Sequence, residues 1–210
     1  MKRIAIIGSG HLGQQIAYHI HQDTGDKVVA FFDEYKEKDT LVDNIPVIGG
    51  NNDIEEAYKS KLFDEVLIAI GYKHLNFKKT IFDKLINRIP FYTFIHSSVY
   101  IDPSAKIGRG TVVYPGCILD QHVKIGDNVL LNIGCAIAHD SQIGSHSFLS
   151  PRVSIAGFVK VEELCILGIN STIIDNITLF AKTQLGGATV VIKNIEKAGL
   201  YVGNPARFIK

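Results

Sequence analysis

The sequence predicts two kinds of structure in one chain, a small parallel α/β unit over residues 1–95 and a parallel β-solenoid over residues 96–210. Three observations carry this prediction. Short β-branched runs alternate with helical stretches in the first part, and a glycine-rich turn follows the first of these runs. From Ile101 onward an aliphatic residue recurs every six positions, a period that neither a helix nor a hairpin sheet has.

Composition narrows the class of protein. With 210 residues, of which 46% are hydrophobic, the chain can bury a substantial core. The 22 Lys and Arg residues are balanced by 21 Asp and Glu residues, so no basic field predicts a nucleic-acid partner. Only four apolar residues, Ile4 to Ile7, precede Gly8, which is too few for a signal peptide or a membrane span. A cytoplasmic protein without a membrane partner is therefore predicted.

The first unit is expected to contain three strands and three helices. The predicted strands are Arg3–Ile7, Lys27–Phe32 and Glu65–Ile70, and the predicted helices are Leu12–Ile20, Ile54–Tyr58 and Phe77–Ile86.

A glycine-rich segment joins the first strand to the first helix. The run Gly8-Ser9-Gly10-His11-Leu12-Gly13 is followed by Asp33, twenty residues later, at the end of the second strand. Glycines let a backbone approach a phosphate, and the helix N-terminus offers free N–H groups. The pattern predicts a Rossmann-like half domain that holds one nucleotide. Three interpretations of this loop remain open: it binds NAD, it binds a nucleotide sugar, or it is a glycine turn that binds no ligand.

The second unit is predicted from two columns of residues. The first column contains sixteen aliphatic residues at a spacing of six: Ile101, Ile107, Val113, Leu119, Ile125, Leu131, Ile137, Ile143, Leu149, Ile155, Val161, Leu167, Ile173, Leu179, Leu185 and Val191. The second column lies four places after the first and holds only small or β-branched residues. Cys117, Cys135 and Cys165 belong to this second column, so they are expected inside the solenoid as free thiols. Their number and spacing fit neither a disulfide framework nor a zinc site.

These columns resemble the left-handed parallel β-helix of the hexapeptide-repeat acyltransferases, in which three hexads form one coil. The small nucleotide-binding unit ahead of it resembles the nucleotide-sugar N-acetyltransferases of the bacillosamine, viosamine and perosamine pathways, the PglD/NeuD-like type. The resemblance implies a homotrimer that uses acetyl-CoA and no metal. It further implies that the acetyl group is transferred to the C4 amino group of an amino-dideoxy sugar linked to UDP or dTDP. Such a reaction serves surface glycan biosynthesis.

His139 is the predicted general base. It is the third residue of its hexad, at an outward corner, and Asp140 follows it. Gly157 is one 18-residue coil further on and should lie beside His139, with a free N–H for a developing oxyanion. The run from Asn132 to Asp140 resembles the active-site stretch of the sugar N-acetyltransferases, and the resemblance gives His139, Asp140 and Gly157 the same roles.

The resemblance also assigns the ligand contacts. For the nucleotide sugar it implies Gly8, Ser9, Gly10, His11 and Gly13 around the diphosphate, with Asp33, Glu34 and Gly71 near the base and ribose. For acetyl-CoA it implies Asn132, Gly157, Gly186, Gly187 and Arg207. Phe148 stands where many relatives have a second histidine, and His146 is close by but one place out of register.

Three other functions would account for parts of the pattern. A zinc enzyme on the same scaffold would need His122, His139 and His146 to converge, although their hexad places share no corner register. A non-catalytic NAD-binding scaffold rests on the glycine loop alone. O-acetylation of a sugar hydroxyl, as in the sialic-acid O-acetyltransferases, would use the same base and donor and stays open.

Overall fold

The computed structural model describes all residues from Met1 to Lys210. The chain divides into two compact units, Met1–Phe94 and Ile95–Lys210. None of its helices combines the length and the apolar character needed to cross a membrane.

The first unit is a five-stranded sheet with helices. Its elements in chain order are β1 Arg3–Ile7, α1 His11–Asp23, β2 Lys27–Phe32, β3 Leu41–Val42, β4 Ile45–Gly49, α2 Ile54–Lys59, β5 Glu65–Ile68, a 3₁₀ turn Tyr72–His74 and α3 Leu75–Leu85. The sheet order is β3-β4-β2-β1-β5. β1 lies parallel to β2 and β5, β2 lies parallel to β4, and only β3 is antiparallel to its neighbour. The glycine loop between β1 and α1 is thus at the carboxyl edge of the parallel strands.

The predicted elements of this unit are present with small changes of length. β5 ends at Ile68, two residues before the expected end, and α1 continues to Asp23. The hairpin formed by β3 and β4 was not expected from the sequence. Its turn residues Asp43 and Asn44 both adopt positive φ, +50° and +63°. Positive φ at both central residues is characteristic of a type I′ turn, and Asp and Asn tolerate that conformation better than most residues.

The second unit is a three-sided parallel solenoid, and the predicted left-handed parallel β-helix is confirmed. We name its sheets by their strands. Face A consists of Tyr100–Ile101, Ile118–Leu119, Ala136–Ile137, Ser154–Ile155, Thr172–Ile173 and Val190–Val191. Face B consists of Lys106–Ile107, Lys124–Ile125, Gln142–Ile143, Lys160–Val161 and Thr178–Leu179. Face C consists of Phe94–Ile95, Val112–Val113, Leu130–Leu131, Phe148–Leu149, Ile166–Leu167, Thr183–Leu185, Gly199–Val202 and Arg207–Phe208.

Neighbouring coils stack in strict register. On face A, Leu119 pairs with Ile137 and Ile137 with Ile155, which fixes a coil of 18 residues. Every aliphatic residue of the six-residue column therefore lies above its equivalent in the previous coil, at a strand spacing of roughly 4.8 Å. This register brings residues 18 positions apart in sequence into contact at the corners.

The interior of the solenoid is apolar and tightly filled. Leu119, Leu131 and Leu149 are fully buried, as are the cysteines of the second column. Cys117, Cys135 and Cys165 are free thiols. Burial raises the pKa of the Cys165 thiol to about 12, so it stays protonated at neutral pH. The cysteines serve as small core residues.

Most corners of the solenoid turn through a residue in the left-handed region. After Ala138 and His139, for example, Asp140 has φ +59°, and one coil later Phe158 has φ +58°. The other residues of this kind in the solenoid are His122, Asn128, His146, Arg152, Leu164, Asn170, Asn176, Lys182, Ala188 and the glycines Gly110, Gly116 and Gly134.

Candidate active site

His139 and Asp140 lie at the corner where the chain passes from face A to face B. The Asp140 carboxylate oxygen Oδ2 is 3.1 Å from Nδ1 of His139. The two side chains are 47% and 37% exposed, so both are accessible to a substrate. When Nδ1–H donates to this carboxylate, Nε2 carries the free lone pair and points away from Asp140. The pair therefore presents an oriented proton acceptor at the surface of the solenoid.

Gly157 lies directly against the imidazole of His139, as the 18-residue register predicts. A Cβ atom built on Gly157 would stand 2.7 Å from Cε1 and 2.8 Å from Nε2 of His139. Only glycine leaves room for the ring in this position. The Gly157 N–H makes no hydrogen bond within the chain, while the next N–H, that of Phe158, donates to the His139 carbonyl oxygen at 3.1 Å. A base and a free N–H donor thus stand side by side.

An apolar groove on face A leads to this corner. Its volume is about 490 Å³, and its lining includes Ile118, Ala136, Ala138, Ala156 and Ile174. Small side chains at 136, 138 and 156 keep the groove open next to the base. An uncharged, flexible chain such as a pantetheine arm is chemically suited to such a surface.

The predicted acetyl-CoA residues do not all lie at this corner. Asn132, Gly186 and Gly187 follow face C strands, so they lie at the corner between faces C and A. Within one chain the width of face A separates them from His139. Arg207 is in the last strand, Arg207–Phe208, and is exposed. Of the five predicted acetyl-CoA contacts, the structure brings only Gly157 to the base.

The glycine loop of the first unit contains glycines with different roles. Gly8 has φ +99°, and a Cβ built on it would stand 2.8 Å from the Ala69 carbonyl oxygen. A Cβ on Gly13 would overlap the Gly8 carbonyl oxygen. Gly10, which precedes α1, has no atom within 4 Å of the position of a Cβ. Gly8 and Gly13 are therefore required by packing, whereas Gly10 leaves open space at the start of α1.

Asp33 anchors this loop. Its Oδ2 accepts hydrogen bonds from Ser9 N at 2.8 Å and Ser9 Oγ at 2.6 Å, and its Oδ1 accepts one from Tyr35 N at 2.9 Å. Burial raises the pKa of the Asp33 carboxyl, but the hydrogen bonds from Ser9 and Tyr35 outweigh it and hold that pKa below its ordinary value. The ionised carboxylate thus fixes the loop conformation.

A cavity of about 150 Å³ opens beside the loop. Gly8, Asp33 and Glu34 line it, as the sequence predicts for a nucleotide site. Glu34 also accepts a hydrogen bond from Asn51 N at 2.6 Å. Ile70, at the predicted strand end Ala69-Ile70-Gly71, also lines the cavity, and the lining residues not predicted from the sequence are Ile7, Phe32, Tyr35, Asn51, His74 and Phe77. Asn51 follows β4, so the rule that ligands bind at the carboxyl ends of parallel strands would have found it had β4 been predicted. His74 lies in the 3₁₀ turn after the predicted strand β5. Gly71 is the residue just before the 3₁₀ turn, and His11 is the first residue of α1.

The three histidines of the zinc alternative lie at two different corners. His122 is at the A–B corner one coil before His139, but in the register position of Asp140 rather than that of His139. His146 is at the B–C corner, is 3% exposed and places Nδ1 3.0 Å from Asn128 Nδ2. No group of three His, Cys, Asp or Glu side chains is placed to hold a metal ion.

Comparison with protein families matches both units. Residues 93–198, half of the chain, match the family model described as the GMPPB C-terminal domain. Residues 3–85 match the model described as the PglD N-terminal domain.

Solved structures of similar shape cover the whole chain. PerB from Caulobacter crescentus, in complex with CoA and GDP-perosamine, is 25% identical with a TM-score of 0.88, over 100% of this chain and 98% of that one. A mutant of perosamine N-acetyltransferase from the same organism, with the same ligands, is 24% identical with a TM-score of 0.92 and the same coverage. The acetyltransferase domain of PglB from Neisseria gonorrhoeae FA1090, in complex with acetyl coenzyme A, is 22% identical with a TM-score of 0.88, over 99% of each chain.

Proposed function

The chain belongs to the family of the GMPPB C-terminal domain, and from this premise we propose that it is an acetyl-CoA-dependent N-acetyltransferase of a nucleotide-linked amino sugar. One observation carries the proposal, the imidazole of His139 lying against Gly157 with Asp140 at its Nδ1. The PglD-type N-terminal unit and the similarity to PerB, which binds CoA and GDP-perosamine, support the choice of substrates.

The proposed reaction needs a proton acceptor and an oxyanion donor. The neutral amine of the sugar attacks the thioester carbonyl, forming the N–C bond while the C–O π electrons move to oxygen. The Gly157 N–H donates a hydrogen bond to that oxyanion, and His139 Nε2 takes a proton from the nitrogen. When the C–S bond breaks, the electron pair returns from oxygen to carbon, and the imidazolium can protonate the departing CoA thiolate. Asp140 stabilises the imidazolium and holds its orientation.

The first unit supplies the nucleotide site in this proposal. Gly10 and the first N–H groups of α1 would face the diphosphate, and the cavity beside Gly8, Asp33 and Glu34 would take the nucleoside. Because Asp33 is already engaged by Ser9 and Tyr35, its main contribution would be to hold the loop ready for the ligand. Glu34 and Asn51 then remain as polar groups at the cavity.

We further propose a homotrimer. Apolar side chains on face A and directly after its strands stay exposed in the single chain, among them Ile118 at 48%, Ile174 at 37% and Ile192 at 44%. Burial of such a surface against a second copy is favourable at roughly 25 cal/mol per Å². A neighbouring copy would also bring a further wall to the half-exposed His139.

The direct test is an acetyl-CoA turnover assay against UDP-, dTDP- and GDP-linked 3-amino and 4-amino sugars, with mass spectrometry of the product. We expect an amide at the 4-amino group of a UDP- or dTDP-linked amino-dideoxy sugar. The GDP-linked sugars belong in the panel because PerB binds one. An ester on a hydroxyl would establish O-acetylation instead. Failure of every acceptor, together with tight binding of NADH in a titration, would favour the NAD-binding scaffold.

A further inference from the structure

Phe158 is a second residue in contact with the His139 imidazole. The two ring centroids are 5.1 Å apart, and the ring planes are nearly perpendicular at 86°. This is the edge-to-face arrangement that aromatic rings prefer. Phe158 follows Gly157 directly, so the residue under the imidazole and the residue beside it belong to the same turn of the next coil.

The conformation of Phe158 is costly for its side-chain type. Its φ of +58° is in the left-handed region, where bulky residues are rare and Asn or Gly is favoured. The ring is also 57% exposed, so burial in the chain does not offset the backbone strain. Equivalent corners one coil before and after carry Asp140 and Asn176, which tolerate this conformation better. Arg152 and Lys182 adopt the same conformation at other exposed corners, so it is the contact with the His139 ring that sets Phe158 apart.

We propose that Phe158 is a positioning residue for His139, a proposal that rests on the proposed role of His139 as base. The imidazole is half exposed, and the hydrogen bond to Asp140 alone leaves it free to rotate about that contact. The Phe158 ring closes one side of the imidazole, while the Gly157 backbone closes another. Together they hold the imidazole against Gly157, whose N–H is the proposed donor to the carbonyl oxygen.

The test compares two substitutions to asparagine at left-handed corners. Phe158→Asn removes the ring and relieves the strain of the left-handed backbone conformation. Lys182→Asn makes the same backbone change at an exposed B–C corner with φ +61°, away from the base. We expect Phe158→Asn to lower kcat about 2- to 10-fold, the range for loss of one aromatic pair, with both KM values unchanged and the melting temperature equal or higher. Lys182→Asn should keep the parent kcat, and Phe158→Tyr, which retains the ring, should do so too.

Three results would overturn the proposal. The first is a kcat of the parent value in Phe158→Asn. The second is a lowered melting temperature or an altered assembly in that variant. The third is a kcat in Phe158→Tyr as low as that in Phe158→Asn. The second would make Phe158 a packing residue.

An NMR measurement that does not require catalytic turnover tests the role of Phe158 separately from the proposed function. In ¹³C–¹H spectra, the His139 imidazole signal, identified by its loss in His139→Ala, should carry a ring-current displacement that disappears in Phe158→Asn. An unchanged signal contradicts the positioning role even if no acceptor sugar is found. A parent protein that transfers no acetyl group contradicts the proposed function and leaves the spectroscopic test valid.

Discussion

The side chain of His139 owes its orientation to backbone geometry. Asp140 follows it in the left-handed conformation, which brings the carboxylate back to Nδ1 of the preceding residue. Gly157, one coil away, leaves the space that the ring fills. A base held in this way needs no deep pocket, so it can stay open to two large substrates.

Replacement of His139 is the first prediction at this scale. His139→Ala should lower kcat by about 10²- to 10⁴-fold, or roughly 3–5 kcal/mol of barrier, because it deletes a positioned base. Asp140→Asn should lose less, since the imidazole remains. The melting temperature should hardly change, because the His139 side chain is half exposed. Steady-state kinetics and thermal melting check both points.

The matched control is His122→Asn, at the same corner one coil earlier. It should retain the parent kcat, because no substrate contact is proposed for His122. Near-normal turnover by a folded His139→Ala protein would contradict the assignment of the base. His146 does not offer a replacement at this corner, since it lies at the B–C corner and is buried.

The neighbours of His139 were predictable to different extents. Gly157 followed from the sequence because parallel coils stack residues 18 positions apart. The contact with Phe158 did not, because phenylalanine rarely adopts positive φ and nothing in its neighbours marks the exception. Its position became clear only when the left-handed corner was seen in the structure.

At the scale of elements, the junction of β1 and α1 combines rigid and open positions. Gly8 and Gly13 are fixed by close backbone contacts, and Ser9 is held by Asp33. Gly10 is the position where a side chain would meet no protein atom. A substitution there therefore reports on a ligand more than on folding.

Gly10→Val should raise the KM for the nucleotide sugar by at least about tenfold and leave the KM for acetyl-CoA nearly unchanged, because the added methyl groups would occupy the diphosphate space. Gly25→Val is the control, since Gly25 is equally open but lies beyond the other end of α1. It should change neither KM. Equal loss for both substrates in Gly10→Val would argue for a folding defect or for a different nucleotide site.

Among the elements, those with a clear period were the most predictable. The solenoid strands were confirmed because each coil repeats the same inward aliphatic position. The β3–β4 hairpin was missed because Pro46 and the short strands obscure any alternation. Asn132, Gly186 and Gly187 were assigned to acetyl-CoA by resemblance, and within one chain they lie across face A from His139.

At the scale of the whole molecule, the open side of face A predicts association. Light scattering of the purified protein should give a trimer. Ile174→Lys should weaken it, because a charge would be buried in an apolar interface. Phe180→Lys, a comparable change outside face A at a residue 45% exposed, should leave the assembly intact. An active monomer at assay concentration would contradict the trimer.

The one-coil offset between His139 and Gly157 also restricts which insertions and deletions the chain can accept. Most of the solenoid is built of interchangeable 18-residue units, so gain or loss of a whole unit keeps each strand on its face. A shift by six or twelve residues keeps the aliphatic residues inward but moves each strand to another face, and a shift that is not a multiple of six turns aliphatic residues out of the core. Between residues 139 and 157 even a whole extra unit would move the base away from its N–H donor. Natural length variants of this protein should therefore vary in coil number on either side of that stretch, and keep the stretch itself constant.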